Sequence, residues 1–312
     1  MIGSLVFAHR SPDLIILDAA GHMKKAGLIG VGLLGSALAK RLTEAGFEVH
    51  GFDTNPEALQ NLSGDGGLDG DSSADVIRNC DQLMLSLPTS DVVTHFVDQH
   101  RDDFREGQIL LDTTTGDPRH AVLVEQSLAE LGVRYLEATV AGSSMQVRTG
   151  NVALFLGGDS RVVEKLAPLI SAITSKSFHL GPVGTASRFK LVHNLLIGLN
   201  RAVLAEGLAF AEALGFDAGE TLQILKQTPA VSGVMETKGQ RMVEQNYEPQ
   251  ARLSQHLKDV RLILSAAERA GSKMPLSEIH ESLLETCQQL GFGESDNSAV
   301  IEAYRNLSSQ VD

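Results

Sequence analysis

The sequence predicts a doubly wound α/β domain followed by an all-α domain, the two joined by one long helix. Three observations carry this reading. Up to about residue 184, short apolar runs of strand length alternate with helical stretches, as in a mostly parallel sheet covered on both faces. The first of these units, residues 27–57 (GLIGVGLLGSALAKRLTEAGFEVHGFDTNPE), sets glycines 30, 32 and 35 between a strand and a helix. After Gly181-Pro182-Val183-Gly184 the strand signal stops, and residues 185–214 carry apolar side chains at helical spacing, among them Phe189, Val192, Leu196, Val203 and Leu208. A helix of that length spans ~45 Å at about 1.5 Å per residue, enough to bridge two domains.

Taken in order, residues 1–22 lack the basic start and cleavage site of a signal peptide. They read as an N-terminal extension of uncertain order with no assigned function, and Met23-Lys24-Lys25 looks like a natural start. The first domain is expected over 23–184, with strands near 26–30, 48–53, 83–87, 108–112, 133–137, 152–157 and 176–180. Its helices are expected near 34–45, 56–62, 90–98, 118–131 and 160–173. Residues 64–71 read as a surface loop, since their aspartates lack the spacing and closing Glu of a calcium loop. The second domain, 185–312, continues with amphipathic stretches near 219–227, 232–245, 253–271, 276–290 and 296–309.

Each part of the glycine unit has a mechanical job. Gly30 allows the tight turn, Gly32 lets the backbone approach a pyrophosphate, and Gly35 lets helix and strand pack closely. The helix that follows offers unpaired N–H groups and partial positive charge to phosphates, so residues Gly30, Val31, Gly32, Leu33, Leu34 and Gly35 are candidate dinucleotide contacts. Asp53 ends the second strand, placed to accept from the adenosine ribose hydroxyls. A carboxylate there repels a 2′-phosphate, and no Arg or Lys follows among Thr54, Asn55, Pro56 and Glu57, which favours NAD over NADP.

Two further strand exits fall at the same carboxyl edge, where ligands sit in doubly wound folds. One is Leu87-Pro88; the other leads to Thr114, a candidate hydroxyl near the nicotinamide ribose, although a Thr run also follows from β-propensity alone. Glu137 through Ser144 (EATVAGSS) is a strand ending in small residues. Gly142 and Ser143 could present N–H and hydroxyl donors to a carboxylate, or form a plain turn. Arg148 is either an extra anion anchor or a solvated surface Arg. Lys190 and Asn194 are four residues apart and share a face of the long helix. A partly desolvated Lys there suits general acid/base work, yet on helix geometry alone a solvated Lys with a capping Asn is the favoured description. His193 points off that face and reads as a packing or interdomain residue rather than a catalyst.

The net charge of −13 argues against nucleic-acid or anionic-membrane partners, and no uninterrupted apolar run reaches the ~18 residues of a membrane span. Cys80 and Cys287 are far apart, with no metal-ligand spacing, which fits a reducing cytoplasm and no metal site.

From Met23 onward the chain resembles the β-hydroxyacid dehydrogenases, which include 3-hydroxyisobutyrate dehydrogenases and semialdehyde reductases. GLIGVGLLGSALAKRL is similar to the family's opening fingerprint, Asp112 to Pro118 (DTTTGDP) to its D-x-S-T-x-x-P element, and EATVAGSSMQVRTGNVALFLGGD to its substrate-binding D-A-P-V-S-G-G stretch. GPVGTASRFKLVHN resembles its catalytic G-x-x-G-x(5)-K segment, and Lys258-Asp259 its late K-D pair. The resemblance implies a Rossmann domain followed by a helical domain of the 6-phosphogluconate dehydrogenase type. It implies Lys190 as catalytic acid/base, Asn194 as its partner at the substrate, and Lys258 reaching the cleft near cofactor and substrate. It further implies an NAD(P)-dependent enzyme interconverting a short hydroxy acid and its semialdehyde, and a homodimer or homotetramer. Departures gather in the substrate stretch, where Ala141 replaces the family's serine, Ser143 its second glycine, Thr139 its proline, and Gln146-Val147 a Gly-Ala pair. Arg188 and His193 also flank Lys190 where the family commonly has a small residue and often an Asn. These leave open a non-carboxylate or imine substrate, although the related imine reductases lack the lysine. A third alternative is a catalytically silent NAD-binding regulator.

Overall fold

The computed structural model describes residues 3–6 and 24–308. Residues 1–2, 7–23 and 309–312 lie outside the described residues, and with them most of the expected N-terminal extension. The chain forms two compact units, Met1–Lys190 and Leu191–Asp312.

Unit 1 is built on one sheet. Its strands are β1 (Gly3–Val6), β2 (Lys25–Ile29), β3 (Glu48–Phe52), β4 (Leu68–Asp69), β5 (Gln82–Leu85), β6 (Ile109–Asp112), β7 (Arg134–Ala141), β8 (Ala153–Gly157) and β9 (Lys176–His179). The spatial order is β1-β9-β8-β7-β6-β5-β2-β3-β4. Neighbours from β4 to β7 pair in parallel, so the exits of β2, β3, β5, β6 and β7 share one edge; β7–β8 and β1–β9 pair antiparallel. The helices are α1 (Leu33–Glu44), α2 (Pro56–Gly64), α3 (Ser73–Asn79), α4 (Ser90–Gln99), α5 (Pro118–Ala129), α6 (Ser144–Arg148), α7 (Ser160–Lys165) and α8 (Ala167–Ile173).

Successive strand residues point to opposite faces, and both faces are covered. Leu28, Met84 and Leu111 join one core with Leu38, Leu42 and Ile170, while Ile29, Leu83 and Leu110 join the other with Val76, Val124 and Leu128. This is why the central strands read as continuous apolar runs.

Three local expectations are corrected. The loop expected at 64–71 contains β4, which pairs with β3 as His50↔Leu68 and Gly51↔Asp69. Gly70 N–H donates to Gly51 O at 2.8 Å, so the chain leaving α2 runs back along the sheet edge. The helix expected at 160–173 is two helices, α7 and α8, because Pro168 has no N–H to continue the ladder. The strand expected at 133–137 runs on to Ala141, held by five pairs with β8 from Glu137↔Gly157 to Ala141↔Ala153.

The long helix is α9 (Thr185–Ala213), which begins in unit 1 and continues into unit 2. Length and composition alone would let it cross a membrane, but the same holds for the core helix of a soluble domain, and 44% of its most apolar stretch is buried in the protein. Unit 2 adds α10 (Ala218–Leu225), a π-helical turn at Met235–Gly239, α11 (Gln240–Val243), α12 (Leu253–Arg269), α13 (Pro275–Gln289) and α14 (Ile301–Ser308). Leu204, Leu208, Leu222, Met242, Leu257, Leu284 and Ile301 form its core. At its centre Lys238 Nζ meets both oxygens of the fully buried Asp296 at 2.8 Å. Asp296 also accepts from Gln250 N–H at 3.0 Å and Ser298 N–H at 3.1 Å, and although burial opposes its charge, Lys238 and these donors hold its carboxyl at about 2. Each unit buries one unpaired cysteine: Cys80 in unit 1 and Cys287 in unit 2.

Candidate active site

The edge shared by the strand exits collects the residues of unit 1 proposed for the cofactor. Gly30 has φ +89°, a left-handed conformation, and a Cβ there would lie 2.4 Å from Ser86 O. A Cβ at Gly35 would lie 2.0 Å from Gly30 O, so α1 packs on the loop only because both lack side chains. Around Gly32 a Cβ would meet nothing within 4 Å, which leaves the crest of the turn open. Gly32 is also the N-cap of α1 and supplies no side-chain cap, so the first-turn N–H groups are available to an anion. Exposed Leu33 and half-buried Leu34 flank this crest. A phosphate-bearing dinucleotide fits such a cradle.

Asp53 is fixed from both sides. Its Oδ2 accepts Val31 N–H at 2.7 Å and its Oδ1 accepts Asn55 N–H at 2.8 Å. One carboxylate therefore ties the glycine turn to the exit of β3, and Asn55 in turn caps α2 through Glu57 N–H at 3.1 Å. Leu87 N–H donates to Thr114 Oγ1 at 3.2 Å, which joins the exits of β5 and β6. Thr114 N–H donates to Asp112 Oδ1 at 2.8 Å. Asp112 Oδ2 accepts the Tyr135 hydroxyl at 2.8 Å, and burial pushes both groups up from their ordinary values. Beside them lies a small, half-open pocket lined by Ser90, Asp112, Thr114, His120, Glu137 and Ser187 among others.

At the exit of β7, Gly142 and Ser143 lead into α6. Ser143 N–H donates to Gln146 Oε1 at 2.9 Å, its hydroxyl donates to the same oxygen at 3.2 Å, and Gln146 N–H returns a bond to Ser143 Oγ at 3.3 Å. The two Ser143 donors expected to meet a carboxylate are thus engaged by the Gln146 side chain. Arg148 Nη1 lies 3.4 Å from Asp65 Oδ2, an ion pair within unit 1.

Lys190 is buried, 6 % exposed, and its ammonium donates to Val140 O at 2.6 Å. This places the candidate acid/base against β7 just before the small-residue exit. Asn194 follows one turn later on α9, in unit 2, where its Nδ2 donates to Asp259 Oδ2 at 2.9 Å. Asp259 Oδ1 lies 3.2 Å from Lys258 Nζ, so one buried carboxylate links two residues assigned to the site. The sequence paired Lys258 with Asp259 but gave no sign of this link. His193 Nδ1 stands 3.2 Å from Asn194 Oδ1. Behind them, burial draws the Arg201 guanidinium down to about 10 against the opposing pull of Asp296 and Asp259. Burial and the Arg201 charge bring His280 to about 4.

Residues 25–181 match the family described as the NAD binding domain of 6-phosphogluconate dehydrogenase, and residues 184–304 match the NAD-binding domain of NADP-dependent 3-hydroxyisobutyrate dehydrogenase. The chain is 28% identical to glyoxylate/succinic semialdehyde reductase 1 of Arabidopsis thaliana, over 90% of this chain and 98% of that protein. It is 27% identical to 2-hydroxy-3-oxopropionate reductase of Escherichia coli, over 91% and 98% respectively. The crystal structure of a 3-hydroxyisobutyrate dehydrogenase from Salmonella typhimurium superposes with a TM-score of 0.84 at 23% identity, covering 89% of this chain and 99% of the other, and shares its fold. With two family matches that together span nearly all of residues 25–304, this chain belongs to the β-hydroxyacid dehydrogenase family of NAD(P)-dependent oxidoreductases.

Proposed function

We propose that the protein interconverts a short 3- or 4-hydroxy acid and its semialdehyde, with NAD preferred over NADP and Lys190 as the acid/base. The observation that carries this reading is the Lys190 ammonium, buried and hydrogen-bonded to Val140 O on the strand that ends at the proposed substrate stretch. The nicotinamide ring, when bound, supplies or accepts the hydride. The chain's own residues do the rest. The open crest at Gly32 and the uncapped start of α1 hold the pyrophosphate. Asp53 faces the adenosine ribose, and its negative charge disfavours a 2′-phosphate. Leu87, Pro88 and Thr114 line the nicotinamide side. Lys190 Nζ passes the proton to or from the substrate oxygen, which Asn194 orients, and Val140 O keeps the ammonium from swinging away. Gly142 and Ser143 meet the substrate carboxylate, and the family resemblance assigns Lys258 to the same ligand.

One observation favours a second reading. Gln146 Oε1 already accepts the Ser143 N–H, as a substrate carboxylate would, so a substrate without a carboxylate at that position fits with no rearrangement. A reducing cytoplasm is the compartment that its two free cysteines support. Homo-oligomer formation is supported by the exposed stripe Val192, Leu196, Val203 and Phe210 on α9.

The test is a panel of glyoxylate and succinic, methylmalonic and tartronic semialdehydes with NADH and NADPH. Lys190→Ala should lose on the order of 10²–10⁴ in kcat with cofactor Kd nearly unchanged. A variant with near-normal turnover refutes the role of Lys190, and a parent inactive on the whole panel refutes the substrate class.

A further inference from the structure

We infer that Glu137 is a positioning residue for this reaction: its buried carboxylate seats the first turn of α9 and so sets where the Lys190 ammonium lies. The inference rests on the reading of Lys190 as acid/base. Glu137 stands on β7 and is 1 % exposed. One carboxylate oxygen accepts the Gly184 N–H; the other accepts the Ser187 N–H at 3.2 Å and the Ser187 hydroxyl. These are donors at the very start of α9, where a helix leaves its N–H groups without partners of its own. A carboxylate in that place also complements the positive end of the helix dipole.

Two glycines make the seat. Gly184, at φ +90°, is in the left-handed region just ahead of α9 as its N–H reaches Glu137. Across from it, a Cβ on Gly157 would lie 2.4 Å from Glu137 Oε2 and 3.1 Å from Ala186 N, so β8 makes room by having no side chain there. The family pattern quoted above has Asp at this position, and Glu137 is one methylene longer.

The geometry links this seat to the chemistry. Ser187 and Lys190 are three residues apart on α9, on adjacent turns of one face. Glu137 and Val140 are three apart on β7, and Val140 O takes the Lys190 ammonium at 2.6 Å. The helix is therefore tied to the strand twice, once through its backbone start and once through the reactive side chain. Loosening the first tie lets the second drift, and a misplacement of about 1 Å at a reacting group costs roughly 10²-fold in rate. Burial and the nearby Asp112 push the Glu137 carboxyl up, and its three donors offset only part of that cost.

The experiment compares Glu137→Gln, Glu137→Asp and Gly157→Ala with the parent and with Lys190→Ala, on NADH and the panel semialdehyde the parent turns over fastest. Glu137→Gln keeps the shape but turns an amide N–H₂ toward an N–H donor. It should lower kcat at least tenfold, with substrate KM and NADH Kd within about threefold. Gly157→Ala displaces an intact carboxylate and should lower kcat in the same way. Glu137→Asp keeps both acceptor oxygens and should recover part of the rate lost in the Gln variant. Folded Glu137→Gln with kcat within twofold of the parent overturns the inference. So does a joint fall of kcat, NADH affinity and melting temperature in all three variants, which describes a plain structural cap. If Lys190→Ala keeps its rate, the acid/base reading fails first. If Lys190→Ala is dead while the Glu137 and Gly157 variants run normally, only this inference fails.

Discussion

Replacing Gln146 with alanine should turn the proposed carboxylate anchor on. In the parent, Gln146 Oε1 holds the Ser143 N–H at 2.9 Å and the Ser143 hydroxyl at 3.2 Å. Truncation removes both bonds but leaves the bond from the residue-146 backbone N–H to Ser143 Oγ, so α6 keeps half of its capping box. A neutral hydrogen bond contributes about 1 kcal/mol, and the site is half-buried, so water replaces part of that loss. The expected stability cost is about 1 kcal/mol, or a melting shift of roughly 2–4 °C for a chain of this size class. The gain is on the substrate side. A charge-assisted bond from a freed N–H to a carboxylate contributes about 1.5–3 kcal/mol. The carboxylate no longer has to displace the amide. Together these predict about a tenfold or greater fall in KM for succinic semialdehyde, with kcat little changed, the pattern of improved ground-state binding. Butanal, which has no carboxylate, is the control and should show no fall. Initial rates of NADH oxidation across substrate concentration decide it. An unchanged or raised KM for succinic semialdehyde in a stably folded Gln146→Ala variant would refute the reasoning and move the anchor elsewhere, Arg148 first.

Two other outcomes are expected. Asp53→Ser with Asn55→Arg should narrow or reverse the preference for NADH over NADPH; because Asp53 also holds the N–H groups of Val31 and Asn55, affinity for both cofactors should drop, so the ratio is the readout. Equal use of both cofactors by the parent contradicts the role of Asp53. His280 is held near 4 by burial and the Arg201 charge, below its unfolded value, so the unfolded chain binds a proton that the folded chain refuses. Its contribution is intact above about pH 6.5 and is lost as pH falls toward 4. Melting temperature should fall across that window, and His280→Asn should flatten the slope; an equal slope in the variant removes His280 as the cause.

The parts of the fold with a strong period were legible in the chain. The glycine turn, the apolar strands and the reach of α9 follow from spacing alone, since alternate burial and helical stripes leave a pattern in sequence. What was not legible had either a short pattern or none. Helix α6 is five residues with no apolar stripe, although its S-x-x-Q spacing at Ser143 and Gln146 carried the capping signal. Helix α3 carried the same kind of mark in Ser72, whose hydroxyl accepts Asp75 N–H. The break between α7 and α8 was written in Pro168. Glu137 left no mark at all, because its partners lie 47 and 50 residues away and only the folded sheet brings them together. Asp259 was marked by its pairing with Lys258, but its bond to Asn194 across 65 residues was not. Strand-edge positions could be predicted; the partner each side chain would find there could not.

The placement of the two cysteines has a practical consequence. Cys80 lies in one core of unit 1 and Cys287 in the core of unit 2, and burial pushes their thiols up to about 12 and about 11. Thiolate is the reactive form, so the folded chain should ignore alkylating reagents until a core opens. Each unit then carries exactly one chemical clock of its own opening. A pulse of reagent followed by mass measurement of the two peptides reads two opening rates from one unlabelled sample, and shows whether the sheet and the helical bundle come apart together or in turn.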